Sequence, residues 1–310
     1  MDISVVIPVL NSVSTIGGCI RSLKKQSISP YEIIVVDGGS NDGTIELLEK
    51  LDVDLITDRG ETPGQARNTG MEKASGEVTM FCDSDCLAGN NLLYYHLKGY
   101  SDRDDISGVM GTIRNCYPGN PVAEYFQKLV LTSEWGSIKR DGTVNRLATA
   151  NFSVIKEELE GLRFNESLTS VEDTELFYRL KRNQKKILYE PRGYVYHHNP
   201  DTIKKLYEKF KWYGRGIYQF YSLYGDGVLS EYQVYSPGRY LKYGLEELQE
   251  AVYTDNKLLC TGCQLNELQN CMIEDDIKLD QEELSNLYLH RVTCLGIATG
   301  IYEERKRIIE

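Results

Sequence analysis

No apolar run in this 310-residue chain approaches the ~18–20 residues that a bilayer-spanning helix needs. The longest candidate, near Cys294–Tyr302, is too short. There is no basic excess either: 35 Lys and Arg stand against 46 Asp and Glu, a net charge of −11, which argues against a nucleic-acid partner. Cysteine is thin, 8 residues, well below disulfide-scaffold density, so reduced thiols are expected. The glycine-rich stretch at residues 37–44 holds neither G-x-G-x-x-G nor Gly-Lys-Ser/Thr. Dinucleotide oxidoreductases and P-loop kinases lose support accordingly. No internal repeat or low-complexity tract is present. The opening MDISVVIPVL has no basic n-region and no cleavage site, and reads as a strand rather than a signal peptide. The expected location is the cytoplasm, with peripheral contact at the inner membrane surface as an option.

What is present is an ordinary globular composition, 41% hydrophobic and 26% charged, which excludes a disordered chain. The acid is uneven: residues 241–310 carry seven basic and fourteen acidic side chains. The first 115 residues alternate short apolar strands (Ser4–Ile7, Glu32–Val36, Val53–Thr57, Glu77–Cys82) with amphipathic helices (Ser14–Gln26, Asp42–Leu51, Pro63–Ala74). Strand, helix, strand at this spacing predicts right-handed βαβ units and a mostly parallel α/β sheet flanked by helices. From Ser107 to about Pro200 the order is mixed: a strand, a helix at Val122–Trp135, a strand at Ala148–Ile155, a helix at Glu172–Arg182, then strands at Ile187–Glu190 and Tyr194–His197. A basic amphipathic helix follows at Thr202–Tyr224, and 236–310 reads as wholly helical. The expected division is an α/β domain at 1–230 and a helical C-terminal appendage at 231–310.

Ligands of open α/β sheets bind outside the carboxyl ends of the strands. Those ends here are Pro8 and Asn11, then Asp37-Gly38-Gly39-Ser40, then Asp83-Ser84-Asp85. Asp83 and Asp85 would point the same way if the chain stayed extended, and paired carboxylates suit Mg²⁺ or Mn²⁺. A solvated turn explains the same pair. Asp42 reads as the N-cap of the second helix. Asp37 lies five residues earlier, too far to cap, and is free to accept from a base N–H or a ribose hydroxyl.

The ordered set VVIPVLN, VVDGGSNDGT, GQARNTG, FCDSD, TANFSVIKEEL, VEDTELFYRL and VYHHNPDTIKKLYEKFKWYGRG resembles the inverting glycosyltransferases of family 2, which have the GT-A fold. The likeness runs from about residue 3 to 216. It implies a nucleotide-sugar pocket at Pro8, Asn11, Asp37, Arg67, Asp83 and Asn151. It implies a metal held by Asp83, Asp85 and His197, with Asp85 the firmer ligand and His198 an alternative to His197. The acidic pair Glu172-Asp173 matches the family's catalytic pair, with Asp173 as the base. Gly38 stands where Asp is frequent in the family, which leaves the base specificity, UDP or GDP, open. The Gln-x-x-Arg-Trp motif of processive synthases is absent, so a single sugar transfer is implied.

The expected activity is metal-dependent, inverting transfer of one sugar from a nucleotide-diphosphate donor to a hydroxyl of a carbohydrate or lipid-linked acceptor. Alternatives are a polyprenyl-phosphate sugar synthase and a catalytically silent nucleotide-sugar-binding scaffold. Helix 202–224, with Ile203, Leu206, Tyr207 and Phe210 on one face and lysines interspersed, fits either a membrane-surface helix or a packed helix with a solvated Lys face. Cys260, Cys263, Cys271 and Cys294 offer a candidate zinc set, but a core-facing stripe explains Cys260 and Cys263 as well.

Overall fold

The structure is a computed structural model that describes residues 1–310 apart from 59, 61, 133–137, 160, 226–227, 229–285 and 310. The described residues form two units, one of Met1–Cys116 with Gln127–Asn199, the other of Tyr117–Phe126 with Pro200–Glu310.

The first unit is built on one eight-stranded sheet. Its strands are β1 (Ile3–Val9), β2 (Glu32–Asp37), β3 (Asp54–Thr57), β4 (Val78–Cys82), β5 (Cys86–Ala88), β6 (Gly108–Asn115), β7 (Asn151–Ile155) and β8 (Ile187–His197). Their spatial order is β3-β2-β1-β4-β7-β6-β8-β5. The first four are parallel neighbours, with Val6 opposite both Ile34 and Phe81. Strand β7 then joins β4 antiparallel. The sheet is therefore mixed and mostly parallel, with helices on it, as the α/β reading expected.

Alternation along β1 explains how both faces are covered. Ile3, Val5, Ile7 and Val9 join one core cluster with Ile16, Ile20 and Leu23 of α1 (Ile16–Lys24) and with Leu92, Leu93 and Tyr100 of α4 (Leu92–Asp102). The apolar residues of α1 recur at three- and four-residue steps, which puts them on one stripe. Val6, between them, faces α3 (Pro63–Lys73). A Cβ on Gly70 would collide with Val6, so this glycine lets α3 approach β1 closely. Between β2 and β3 runs the short α2 (Thr44–Leu48). Its N-cap position is Gly43 rather than the expected Asp42. Asp42 still serves the turn, accepting from the Thr44 N–H (3.1 Å) and the Val13 N–H (3.1 Å).

Strand β8 runs unbroken where the sequence suggested two strands. Gly111 pairs with Glu190 and Thr112 with Tyr194, so Pro191, Arg192 and Gly193 bulge out of the ladder. Helix α6 (Glu172–Arg182) starts and stops as expected. Strand β5 and α4 carried no sequence expectation and complete the sheet edge.

The second unit holds α5 (Pro121–Phe126), α7 (Ile203–Tyr224) and α8 (Asn286–Ile309). Helix 203–224 thus belongs with the C-terminal helix, whereas the sequence reading placed it with the α/β domain. The reason is close helix packing: a Cβ on Gly214 would collide with the Ile297 carbonyl, and one on Gly300 with the Lys211 carbonyl. Leu206, Tyr207 and Phe210, the apolar face proposed for a membrane surface, are buried. Tyr207 donates to Thr299 of α8 (3.2 Å), so that face is occupied by protein. Among the described residues no helix is long and apolar enough to cross a membrane. Cys260, Cys263 and Cys271 lie outside the described residues, and Cys294 is buried.

Candidate active site

Three strand ends and one helix start meet at one edge of the first unit. Strands β1 and β2 end side by side, with Val9 opposite Asp37. Pro8 is half-buried in β1, and Asn11 follows in the left-handed region at φ 50°. The Asn11 side-chain oxygen accepts from the Asn41 N–H (2.9 Å), and its own N–H donates to Ser40 (2.8 Å). The two loops are thereby tied into one rim. Asp37 is fully buried. Its Oδ2 accepts from the N–H groups of Gly39 (2.8 Å) and Ser40 (3.0 Å). Its Oδ1 is buried without a protein partner. An orphaned buried carboxylate oxygen is costly, and a ligand N–H or hydroxyl would satisfy it.

The end of β4 departs from the expectation for Asp83 and Asp85. The chain turns at this point, the Cys86 N–H donating to the Asp83 carbonyl (3.1 Å), so the two carboxylates separate. Asp83 accepts from Arg67 Nη2 (2.8 Å). Asp85 faces His197, Oδ1 to Nε2 at 3.5 Å. That pairing arises because β5 runs antiparallel to β8 with Cys86 opposite His197. His198 donates its N–H to the Asp85 carbonyl (3.0 Å), while the imidazole whose Nε2 faces Asp85 Oδ1 is that of His197.

The His197 ring is oriented by neighbours the sequence reading missed. Its Nδ1 lies 2.8 Å from Asn199 Oδ1. Asn199 Nδ2 donates to Gln127 Oε1 (3.0 Å), and Gln127 Nε2 donates to the Ile113 carbonyl (2.8 Å). This chain assigns Asn199 Oδ1 as acceptor and His197 Nδ1 as donor, and in a neutral ring that tautomer turns the Nε2 lone pair toward Asp85. The 3.5 Å separation exceeds a charge-assisted hydrogen bond of roughly 2.7–2.9 Å. Two acceptors facing across that gap fit a cation. A carboxylate and an imidazole with its second nitrogen hydrogen-bonded are a sound donor set for one. Cys86 Sγ lies within 4.8 Å of both. Burial and the adjoining Cys82 push its thiol well up, so it stays protonated and is a poor ligand for a hard ion.

Arg67 is 4% exposed and spans the site. It donates to Asp83 and, through Nη1, to Glu172 Oε1 (2.5 Å), and its guanidinium lies 5.7 Å from the centre of the Phe164 ring. Glu172 is thereby locked in a buried ion pair. Asp173, next in line, has no such pair among the described residues: its Oδ1 accepts from the Thr174 N–H (2.7 Å). Burial pushes the Asp173 carboxyl above the ordinary range, against the pull of Arg146 and Arg67. Val171, just before the pair, stands at φ 57°, ψ 21°. That conformation is strained for a β-branched residue and typical of functional loops.

Asn151 is placed differently from the nucleotide role implied for it. It is fully buried in β7. Its Oδ1 lies 2.9 Å from His96 Nε2. Its Nδ2 donates to the carbonyls of Thr112 (2.9 Å) and Gly193 (3.2 Å). The amide is used up in stapling the β8 bulge. Asn199 sits inside the VYHHNP string, two residues after His197, and that spacing is a signal; Gln127 and Arg146 carry none.

Residues 4–154 match the family model Glycosyl transferase family 2. Glycosyltransferase AglE of Haloferax volcanii is 32% identical over 168 residues, 51% of this chain and 54% of that protein. A poly-beta-1,6-N-acetyl-D-glucosamine synthase of Staphylococcus epidermidis is 25% identical over 68% of this chain and 53% of its own length. The chain thus spans about half the length of these curated relatives. Among solved structures, S. aureus TarS 1–349 in complex with UDP-GlcNAc superposes with a TM-score of 0.55 at 18% identity, covering 99% of this chain and 92% of that one. Glucosyl-3-phosphoglycerate synthase from Mycobacterium tuberculosis, in complex with Mn²⁺, UDP and phosphoglyceric acid, gives 0.53 at 21%, covering 71% and 78%. With the sheet order and strand-end motifs described above, these matches place the chain in glycosyltransferase family 2, with the GT-A fold.

Proposed function

We propose that the chain transfers a single sugar from a nucleotide-diphosphate sugar to a hydroxyl of a carbohydrate or lipid-linked acceptor, with inversion and with Mg²⁺ or Mn²⁺. The observation that carries this is the Asp85–His197 gap, its imidazole oriented by Asn199. Asp85 and His197 would hold the divalent cation, which would supply charge neutralisation to a departing diphosphate. Asp37 offers its unpartnered Oδ1 to the nucleoside, and the Asn11–Ser40–Asn41 rim shapes the pocket mouth.

Asp173 takes the acceptor proton. Its raised pKa makes it a stronger base than an exposed aspartate, and among the described residues no ion pair at hydrogen-bond distance holds its carboxylate as Arg67 holds Glu172. Glu172 and Arg67 hold the start of α6 against the Asp83 turn. One base acting opposite one leaving group gives a single displacement, hence inversion. The UDP and UDP-GlcNAc complexes of the structural neighbours support a UDP donor, and the Mn²⁺ of another supports the cation. The missing Gln-x-x-Arg-Trp motif supports one transfer rather than polymer growth.

The test is release of UDP and GDP from a panel of UDP- and GDP-sugars, with Mn²⁺ and with chelator. Release of UDP that needs the metal is the expected result. No metal-dependent release from any donor would leave the chain a nucleotide-sugar-binding scaffold.

A further inference from the structure

We propose that the cavity over the β8 bulge is a second ligand site, for a saccharide that carries a carboxylate or a phosphate. Its volume is about 400 Å³, within the range of small-molecule sites. The bulge builds it: Pro191, Arg192 and Tyr194 form one wall, Asn90, Asn91 and Tyr95 at the start of α4 another, and Arg114 of β6 the third. Side chains alternate along β8, so Tyr194 and Tyr196 point away from the face that carries Val195 and His197. None of Asp37, Asp85, Asp173 or His197 lines the cavity.

The charge in it is specific. Arg192 is spent on Glu190, with Nε at 2.8 Å and Nη2 at 2.7 Å from its two oxygens. The Arg114 guanidinium is stacked 3.8 Å over the centre of the Tyr194 ring, and makes no hydrogen bond or ion pair among the described residues. No carboxylate lines the cavity. One uncompensated guanidinium, with its orientation fixed by stacking, matches one anionic group. Around it, the side-chain amides of Asn90 and Asn91 have no partner among the described residues and supply donors and acceptors for hydroxyls. Tyr95 and Tyr194 add amphipathic surface that costs little entropy to present. An anion, several hydroxyls and an apolar C–H face together describe an acidic or phosphorylated sugar. A neutral glycan would leave Arg114 unanswered.

The site goes beyond the donor-site reading, and its test separates the two. Binding of trigalacturonate, glucose 6-phosphate and neutral maltotriose to the full chain is measured by calorimetry. At least one of the two anionic sugars is expected to bind tenfold or more tighter than maltotriose, and to weaken with added salt; which one binds assigns carboxylate or phosphate. Arg114→Gln is expected to lose tenfold or more in that affinity, and Asn91→Ala severalfold, while metal-dependent donor hydrolysis stays within twofold. Arg114 is exposed, so the variant folds. Equal affinity for all three sugars, no measurable binding of the anionic ones, or unchanged affinity in Arg114→Gln would overturn the site. Loss of donor hydrolysis in the unmodified chain would strike the transferase reading and leave this one standing.

Discussion

The two halves of the sheet are held by different means. In β3-β2-β1-β4, strands successive in sequence are joined by the helical crossovers α1, α2 and α3, and apolar side chains cover both faces. In β7-β6-β8-β5, neighbours are far apart in sequence, one ladder is bulged, and a buried polar network ties the strands. His96 lies 2.8 Å from Ser153 and 2.9 Å from Asn151, and Tyr100 lies 2.9 Å from Ser153. Desolvation takes the His96 pKa down to about 4, so its ring is neutral, donating to Asn151 and accepting from Ser153. The parallel half supplies Asp37, with its buried and unpartnered Oδ1. The mixed half supplies His197, and Asp85 at the start of β5 meets it across the ladder. Local chain chemistry can make a pocket; pairing a carboxylate with a distant imidazole needs the second half.

That contrast can be broken most sharply at the junction. Asp85→Ala is expected to abolish transfer and metal-dependent nucleotide binding with stability retained, since the side chain is about a third exposed, 35%. Unchanged turnover at saturating donor and Mn²⁺ would remove the metal assignment. Next is Arg67→Met, which leaves Glu172 as an uncompensated buried charge and is expected to cost about 3–5 kcal/mol in urea unfolding. Adding Glu172→Gln should recover part of that loss. No recovery would mean that Arg67 acts without Glu172.

The polar network has a pH signature. The folded pKa of His96 is depressed, so its contribution is fully present above the unfolded value near 6.5 and is lost as pH falls toward about 4. The loss amounts to roughly 3 kcal/mol at most over that window. Wild type and His96→Gln, unfolded in urea at pH 7 and at pH 4.5, should diverge by most of it, the wild type falling further. Parallel pH curves would show that His96 is not buried neutral.

Asp173→Asn is nearly isosteric, and should keep donor affinity while losing at least about 10²-fold in turnover. The raised pKa of Asp173 adds that wild-type turnover falls as pH drops, from a higher pH than an ordinary aspartate would give. If Glu172→Gln is the crippled variant instead, the base is misassigned. The smallest effect is expected at Asn199. Asn199→Leu frees the His197 ring and should weaken Mn²⁺ binding by about 10–100-fold, with the fold intact. Unchanged affinity would take Asn199 out of the site.

Much of the parallel half was legible because its signals are local. The β1 run, the α1 stripe and the Pro63 helix start each lie within one element, and β2 ends in Asp37 as its apolar run ends. Helix α6 was readable from Glu172 to Arg182 for the same reason. Strand β5 and α4 were not, since a three-residue strand has no period to read. The bulge at 191–193 looked like a break between two strands, because only pairing with β6 shows one ladder across it. The C-terminal helix was expected, yet its partnership with 203–224 depends on glycines on each helix, Gly214 against Ile297 and Gly300 against Lys211, more than eighty residues apart.

The sequence by itself determined the family, the strand-end carboxylates and the acidic pair before α6, since each is a short string tied to one element. Only the tertiary structure decided what those residues do. Asp83 and Asp85 differ by two positions, yet one turn sends the first to Arg67 and the second to His197. Asn151 looked like a ligand contact and became a staple, because burial leaves its amide no choice but the nearest carbonyls and His96. The physical reason is the same in each case. A side chain's chemistry is set by its type, but its partner and its pKa are set by burial and by which distant strand lies beside it.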